Sequence, residues 1–144
     1  MEQIYGNRSC LVAVDERSSD ARGYIKSICD LSVENVSVIK CEASSIRSNH
    51  LHKTDSHLMY VVSGKIDYFY EFNEVLYYFP VLPGQLVFTP PQEWHATVFP
   101  ETSLIIAISH FGRTPSAYER DTERKTIIST DNYPAMLELA IKDV

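Results

Sequence analysis

Cysteine is scarce: the chain has three, Cys10, Cys29 and Cys41, an odd number with no C-x-x-C spacing. That excludes a disulfide framework and a cysteine zinc site, and it suits a reducing compartment. Basic runs are missing too. Thirteen Lys and Arg against nineteen Asp and Glu leave a formal charge of −6, so a phosphate backbone has no cationic stripe to follow. Nucleic acid is therefore not an expected partner, whereas a nucleotide sugar is still allowed, because a single Arg or Lys can hold a diphosphate. No apolar run approaches the roughly 20 residues of a membrane-spanning helix. Met1, Glu2 and Gln3 offer no basic start before an apolar stretch, so no signal peptide is expected. A soluble, cytoplasmic protein is the expectation.

What the chain has in quantity is tyrosine, nine residues with five of them between Tyr60 and Tyr78. Aromatic side chains suit the pleated surface of a sheet. Short apolar runs at 24–28, 36–40, 58–62, 65–70, 75–79, 85–89, 95–99 and 104–109 are rich in Val, Ile, Tyr and Phe. Their length and composition predict strands, and turn signals punctuate them. Asp20 to Gly23, Ser63-Gly64 and Leu82-Pro83-Gly84 are such signals. In the last, Pro presets the first turn position and Gly supplies the positive φ of a type II turn. Many short strands without interleaved helices imply an all-β sandwich or closed barrel. One C-terminal helix is expected, capped by Thr130 or Asp131, with Met136, Leu137, Leu139, Ala140 and Ile141 on its apolar face. The 144 residues show no repeat or linker and are the usual size of a single domain, expected to span 1–144.

Four of the five histidines draw attention. His50 and His52 stand at i and i+2, so on a strand they share one face with Cα atoms about 6.5 Å apart. Two imidazoles so placed can lean onto one metal ion. His57 follows five residues later at the start of the next run, and His95 opens another strand after Pro90 and Pro91. An H-x-H pair alone is a weak motif, and an isolated histidine is more often a hydrogen-bonded core or rim residue. His110 has only that reading, with no partner at ligand spacing.

The punctuation around these residues resembles the cupin family. Its first motif, G-x5-H-x-H-x3,4-E-x6-G, is matched by His50, His52 and Gly64, with His57 in the place of the Glu. Its second, G-x5-P-x-G-x2-H-x3-N, is matched by Gly84, Pro90 and His95, with Phe99 in the place of the Asn. The resemblance covers about 44–99 and implies a double-stranded β-helix, or jelly-roll, barrel. It also implies one divalent metal ion, Zn, Fe, Ni or Mn, on His50, His52, His57 and His95.

A longer pattern includes Asp20-x-Arg22-Gly23, the stretch 46–55 and the stretch 118–124. It resembles small cupins of polysaccharide and deoxysugar biosynthesis, similar to nucleotide-sugar epimerases and 3,4-ketoisomerases. In metal-free members an Arg-x-x-His-x-His-Lys stretch supplies the base and the substrate contacts, and Arg47, His50, His52 and Lys53 match it. The resemblance thus implies an isomerase or epimerase acting on a nucleotide-linked keto-sugar. His50 would be the base, Arg47 and Lys53 would bind substrate, and a homodimer would be the assembly. Tyr60 is the first choice for an acid, with Tyr68 and Tyr70 behind it, although each also reads as a packed aromatic. Two other readings remain open for the same pocket: an iron-dependent dioxygenase, or a non-catalytic metal-dependent binder of a sugar or metabolite.

Overall fold

The structure is a computed structural model, and it describes residues 1–143. A short helix, α1 (Glu2–Tyr5), leads into β1 (Cys10–Val12) and the ribbon β2 (Asp15–Asp20) and β3 (Gly23–Ser27). Then follow β4 (Asn35–Cys41), β5 (Ser45–His52), β6 (His57–Ser63), β7 (Ile66–Phe72) and β8 (Val75–Val81). After these come β9 (Leu86–Thr89), β10 (His95–Phe99), β11 (Ser103–Ser109), α2 (Pro115–Asp121), β12 (Thr122–Arg124), α3 (Tyr133–Leu139) and β13 (Ile141–Lys142). The strands form a five-stranded sheet, β1-β9-β6-β11-β4, and a six-stranded sheet, β12-β5-β10-β7-β8-β13. Within the two sheets every pairing is antiparallel except that of β13 with β8.

Alternation along the strands builds the layers. On β6, Met59 and Val61 point into the space between the sheets and meet Tyr68, Phe79, Val87, Phe99 and Ile105 from both of them. Leu58 and Tyr60, one residue out of phase, pack on the outer face with Phe88 and Ile108 under the N-terminal segment. The other sheet is covered on its outside by α3, whose Met136 and Leu137 pack near Phe69 and Val98. Gly84 has the positive φ, 83°, that the turn after β8 requires. Gly64 is needed twice over: its φ is 90°, and a Cβ there would lie 2.1 Å from the Ser103 hydroxyl.

Two helical details differ from expectation. The N-cap of α3 is Asn132 rather than Thr130 or Asp131, and Ser129 and Asn132 bond one another ahead of it at 2.7 and 3.2 Å. The segment after β11 is not simply a loop. It forms α2, with Thr114 at the N-cap accepting from the Ala117 N–H at 3.4 Å and Pro115 in the first turn. It buries no apolar face, so it carries no periodicity for a sequence reading to find.

One irregularity decides what the interior contains. His50 pairs with His95, but the next residue of β10, Ala96, pairs with Ser48, so β5 carries one extra residue. Ser48 and Asn49 sit in the left-handed region at φ 68° and 53° to accommodate it. Strict alternation would turn Arg47 and His50 to opposite faces. The bulge brings both to one cavity. Asn49 locks it: Oδ1 accepts the Ile127 and Ile128 N–H groups at 2.9 and 3.0 Å, and Nδ2 donates to the Ile128 carbonyl at 2.9 Å. Asn49→Ala should therefore cost about 3 kcal/mol by denaturant unfolding, from lost bonds and stranded N–H groups. A loss below about 0.5 kcal/mol would show that the bulge does not depend on this side chain.

Candidate active site

β5 supplies His50 and His52, β10 supplies His95 and β6, from the facing sheet, supplies His57. All four are buried, none more than 8% exposed. The rings of His50 and His52 lie 4.5 Å apart, those of His50 and His95 4.8 Å. One nitrogen from each of His50, His52 and His95 falls within 4.8 Å of the others. His57 packs against this group with its ring 5.7 Å from His52 and 5.4 Å from His95, but it is outside the compact trio.

Burial strips water from the imidazoles and so disfavours their charged forms. It lowers the pKa of His50 to about 2, of His52 to about 3 and of His95 to about 4, and pushes His57 well below the ordinary range. The rings also repel one another's protons, and Arg113 adds its charge against protonation of all four. At neutral pH the cluster is a set of neutral imidazoles, each with one N–H and one free lone pair. His95 donates from Nδ1 to the Glu93 carbonyl at 3.0 Å, which leaves the lone pair on Nε2. That Nε2 is buried and has no hydrogen-bond partner among the described residues.

The cluster opens onto a cavity of 140 Å³ between the sheets. Met59, Phe99 and Ile105 give it an apolar wall, while Arg47, His50, His57, Arg113 and Tyr118 give it a polar one. Tyr118, on α2, places its hydroxyl 3.5 Å from Nδ1 of His50. Arg113 donates from Nε to Oδ2 of the buried Asp55 at 3.2 Å and reaches Nε2 of His52 with Nη2 at 3.4 Å. The site thus pairs unprotonated bases with a fixed cation and a hydroxyl, which is equipment for moving a proton beside a carbonyl.

No family model matches the chain, and no curated protein matches it. Solved structures do. A variant of the 3,4-ketoisomerase QdtA from Thermoanaerobacterium thermosaccharolyticum, in complex with TDP-4-keto-6-deoxyglucose, aligns at a TM-score of 0.68 and 13% identity over 82% of this chain and 88% of that chain. A 3,4-ketoisomerase from Helicobacter canadensis aligns at 0.70 and 13% over 92% and 98%. The TDP-quinovose 3,4-ketoisomerase WlaRB from Campylobacter jejuni aligns at 0.70 and 12% over 81% and 92%. The fold is that of a cupin.

The cupin barrel sorts the residues singled out by sequence. His50, His52 and His95 converge, with His57 beside them, and Arg47 lines the cavity. Two others, Tyr60 and Lys53, are not brought to the cavity. Tyr60 faces outward into the cluster of Leu58 and Phe88, because it stands three positions from His57 on β6. Lys53 lies just beyond β5, where its Nζ donates to the Arg120 carbonyl at 3.2 Å and its N–H to that of Asp121 at 2.7 Å, so it ties down α2. Tyr68 and Tyr70 are fully buried in the barrel core. His110 sits edge-on to Phe111 with rings 4.5 Å apart.

Sequence reasoning did not assign a role to Arg113, Tyr118 or Glu93. Tyr118 lay within the late stretch that carried the family resemblance. Arg113 had no signal. Glu93 is buried, its carboxylate accepting the Ser9 N–H at 3.1 Å, and Ser9 in turn bonds the Tyr68 hydroxyl at 2.7 Å. Burial raises its pKa to about 7 despite those donors.

Proposed function

We propose that this cupin is an isomerase or epimerase acting on a nucleotide-linked keto-sugar, with the sugar ring in the barrel cavity and His50 as the proton-transferring base. The observation that carries this reading is an unprotonated, buried imidazole on the cavity wall, 3.5 Å from the Tyr118 hydroxyl. The ketoisomerase structures of like fold, one of them holding TDP-4-keto-6-deoxyglucose, support the substrate class.

The chemistry follows from the acidity of a C–H next to a ketone. In a 3,4-ketoisomerisation His50 takes the C3 proton, and the electron pair moves onto the C4 carbonyl oxygen as an enediolate. Return of the proton to C4, as O3 gives its own proton to O4, completes the 3-ketone. In an epimerisation the proton returns to the same carbon from the other face. Tyr118 is placed to pass a proton between oxygens, and Arg47 to pair with the diphosphate, whose oxygens match a planar guanidinium. The incoming negative charge also draws the pKa of His50 back up toward a useful base. The test is incubation with TDP-4-keto-6-deoxyglucose in deuterated water, with deuterium read at C3, C4 and C5. Failure to exchange any of these across a panel of 4-keto nucleotide sugars would remove the reading.

A second occupant is favoured by the unpartnered Nε2 of His95. Three neutral imidazoles fit a divalent cation of borderline softness. His50, His52 and His95 would hold it, and there it would supply Lewis-acid polarisation of a carbonyl oxygen. His57 would be a fourth donor only after closing in from its present place. The expected result is about one Zn, Fe, Ni or Mn ion per chain by elemental analysis. His95→Gln should weaken zinc binding more than tenfold, while His57→Gln should weaken it less, on the order of threefold. Protein that neither carries nor takes up metal would rule this occupant out.

A further inference from the structure

Arg113 is held from several sides. Its Nε donates to Asp55, a carboxylate only 4% exposed that also accepts the Phe111 N–H at 3.0 Å. The ring of Tyr118 packs against the guanidinium with its centroid 5.4 Å from Cζ. Nη2 leans on His52, and the side chain forms part of the cavity wall next to His50 and His57. Desolvating a cation costs several kcal/mol. Its charge also works against protonation of all four imidazoles. A pre-aimed positive charge at the wall of a low-dielectric cavity is what an oxyanion requires.

We infer that Arg113 is a catalytic residue that binds the keto oxygen of the sugar and holds the enediolate formed as His50 removes the neighbouring proton. The inference rests on the reading that a keto-sugar enters this cavity. As the proton leaves carbon, the oxygen goes from neutral to a full negative charge, so the guanidinium binds the transition state better than the substrate. Asp55 supplies a counter-ion that orients the fork without facing the cavity. Arg113 also competes with any metal ion for Nε2 of His52, so guanidinium and metal are alternative sources of the same charge.

Two probes test it separately from the sugar reading. With TDP-4-keto-6-deoxyglucose in deuterated water, Arg113→Gln should slow exchange at least about 100-fold while affinity for TDP changes less than about threefold, as expected for transition-state rather than uniform binding. Arg113→Lys keeps the charge beside Asp55 but not the fork. It should melt close to the wild type, yet exchange at least about tenfold more slowly. The second probe is tropolone, whose anion presents an enediolate-like pair of oxygens and needs no turnover. In the presence of EDTA the wild type should bind it, and Arg113→Gln should bind it at least about tenfold more weakly. Exchange that survives Arg113→Gln, tropolone that binds both proteins alike, or tropolone that binds only after zinc is added would each overturn the inference. A wild type that exchanges no sugar yet binds tropolone through Arg113 would remove the sugar reading and uphold the oxyanion site.

Discussion

His50→Gln should lower deuterium incorporation into a 4-keto sugar nucleotide by about 10³-fold, the usual worth of a positioned general base. Glutamine is close to histidine in size and polarity, so the cavity wall should keep its shape. Among the described residues, the one hydrogen bond that the His50 side chain makes is the long contact with Tyr118, at 3.5 Å. The melting temperature should therefore change little, and TDP should bind as before, because in the proposed complex the imidazole meets the sugar and Arg47 the diphosphate. Tyr118→Phe should cost less, about tenfold, since it removes a relay rather than the base. A His50→Gln protein that keeps exchange within about tenfold of the wild type would transfer the role of base to His52 or His57.

Acid should unfold the metal-free protein well before its exposed carboxylates are protonated. The four histidines have folded pKa values far below 6.5, chiefly from burial. As pH falls through 6.5 the unfolded chain takes up protons that the native cluster refuses, so stability present above that pH is lost below it. Each such group contributes up to about 1.4 kcal/mol per pH unit, so four together reach roughly 5 kcal/mol per unit at the steepest. That is comparable with the total stability of a domain of this size, about 5–15 kcal/mol. Glu93 works in the opposite direction. Its folded pKa of about 7 lies above the unfolded value, so its contribution is present below pH 4.5 and lost as pH rises through 7. Burial raises the Asp55 carboxyl as well, so it acts in the same sense as Glu93, and two carboxyls against four imidazoles still give a net loss on acidification. Melting temperature measured from pH 8 to 5 in EDTA should fall steeply below about 6.5, and Glu93→Gln should make the fall steeper. A flat profile would mean that the histidines are protonated in the folded protein.

The strands were legible because each carries its own period and its own punctuation. The eight runs expected from apolar character reappear as β3, β4 and β6 to β11, with ends shifted by a residue or two. The pairing of His50 with His52 was legible for the same reason, since a period of two needs no tertiary information. Tyr60 shows the rule applied too loosely. An odd separation from His57 already turned it to the other face, and only the attraction of a tyrosine near a base suggested otherwise. The bulge at Ser48 and Asn49 was not legible, because its cause lies in the backbone of Ile127 and Ile128, some eighty residues on. Arg113 was invisible for a related reason. Its meaning comes from Asp55, His52 and Tyr118, which only the closed barrel brings to it.

The four imidazoles do not all belong to one sheet. His50, His52 and His95 ride on the six-stranded layer, whereas His57 rides on the five-stranded layer that faces it. Anything gripped by His57 and His95 together becomes a clasp between the two halves of the sandwich, and the work of prying them apart then includes the work of releasing it. Backbone amides of β6 and β10, which share no ladder, would slow their exchange with solvent in step when the pocket fills. The barrel would thus register its cargo in the cohesion of its two layers, far from the atoms that touch it.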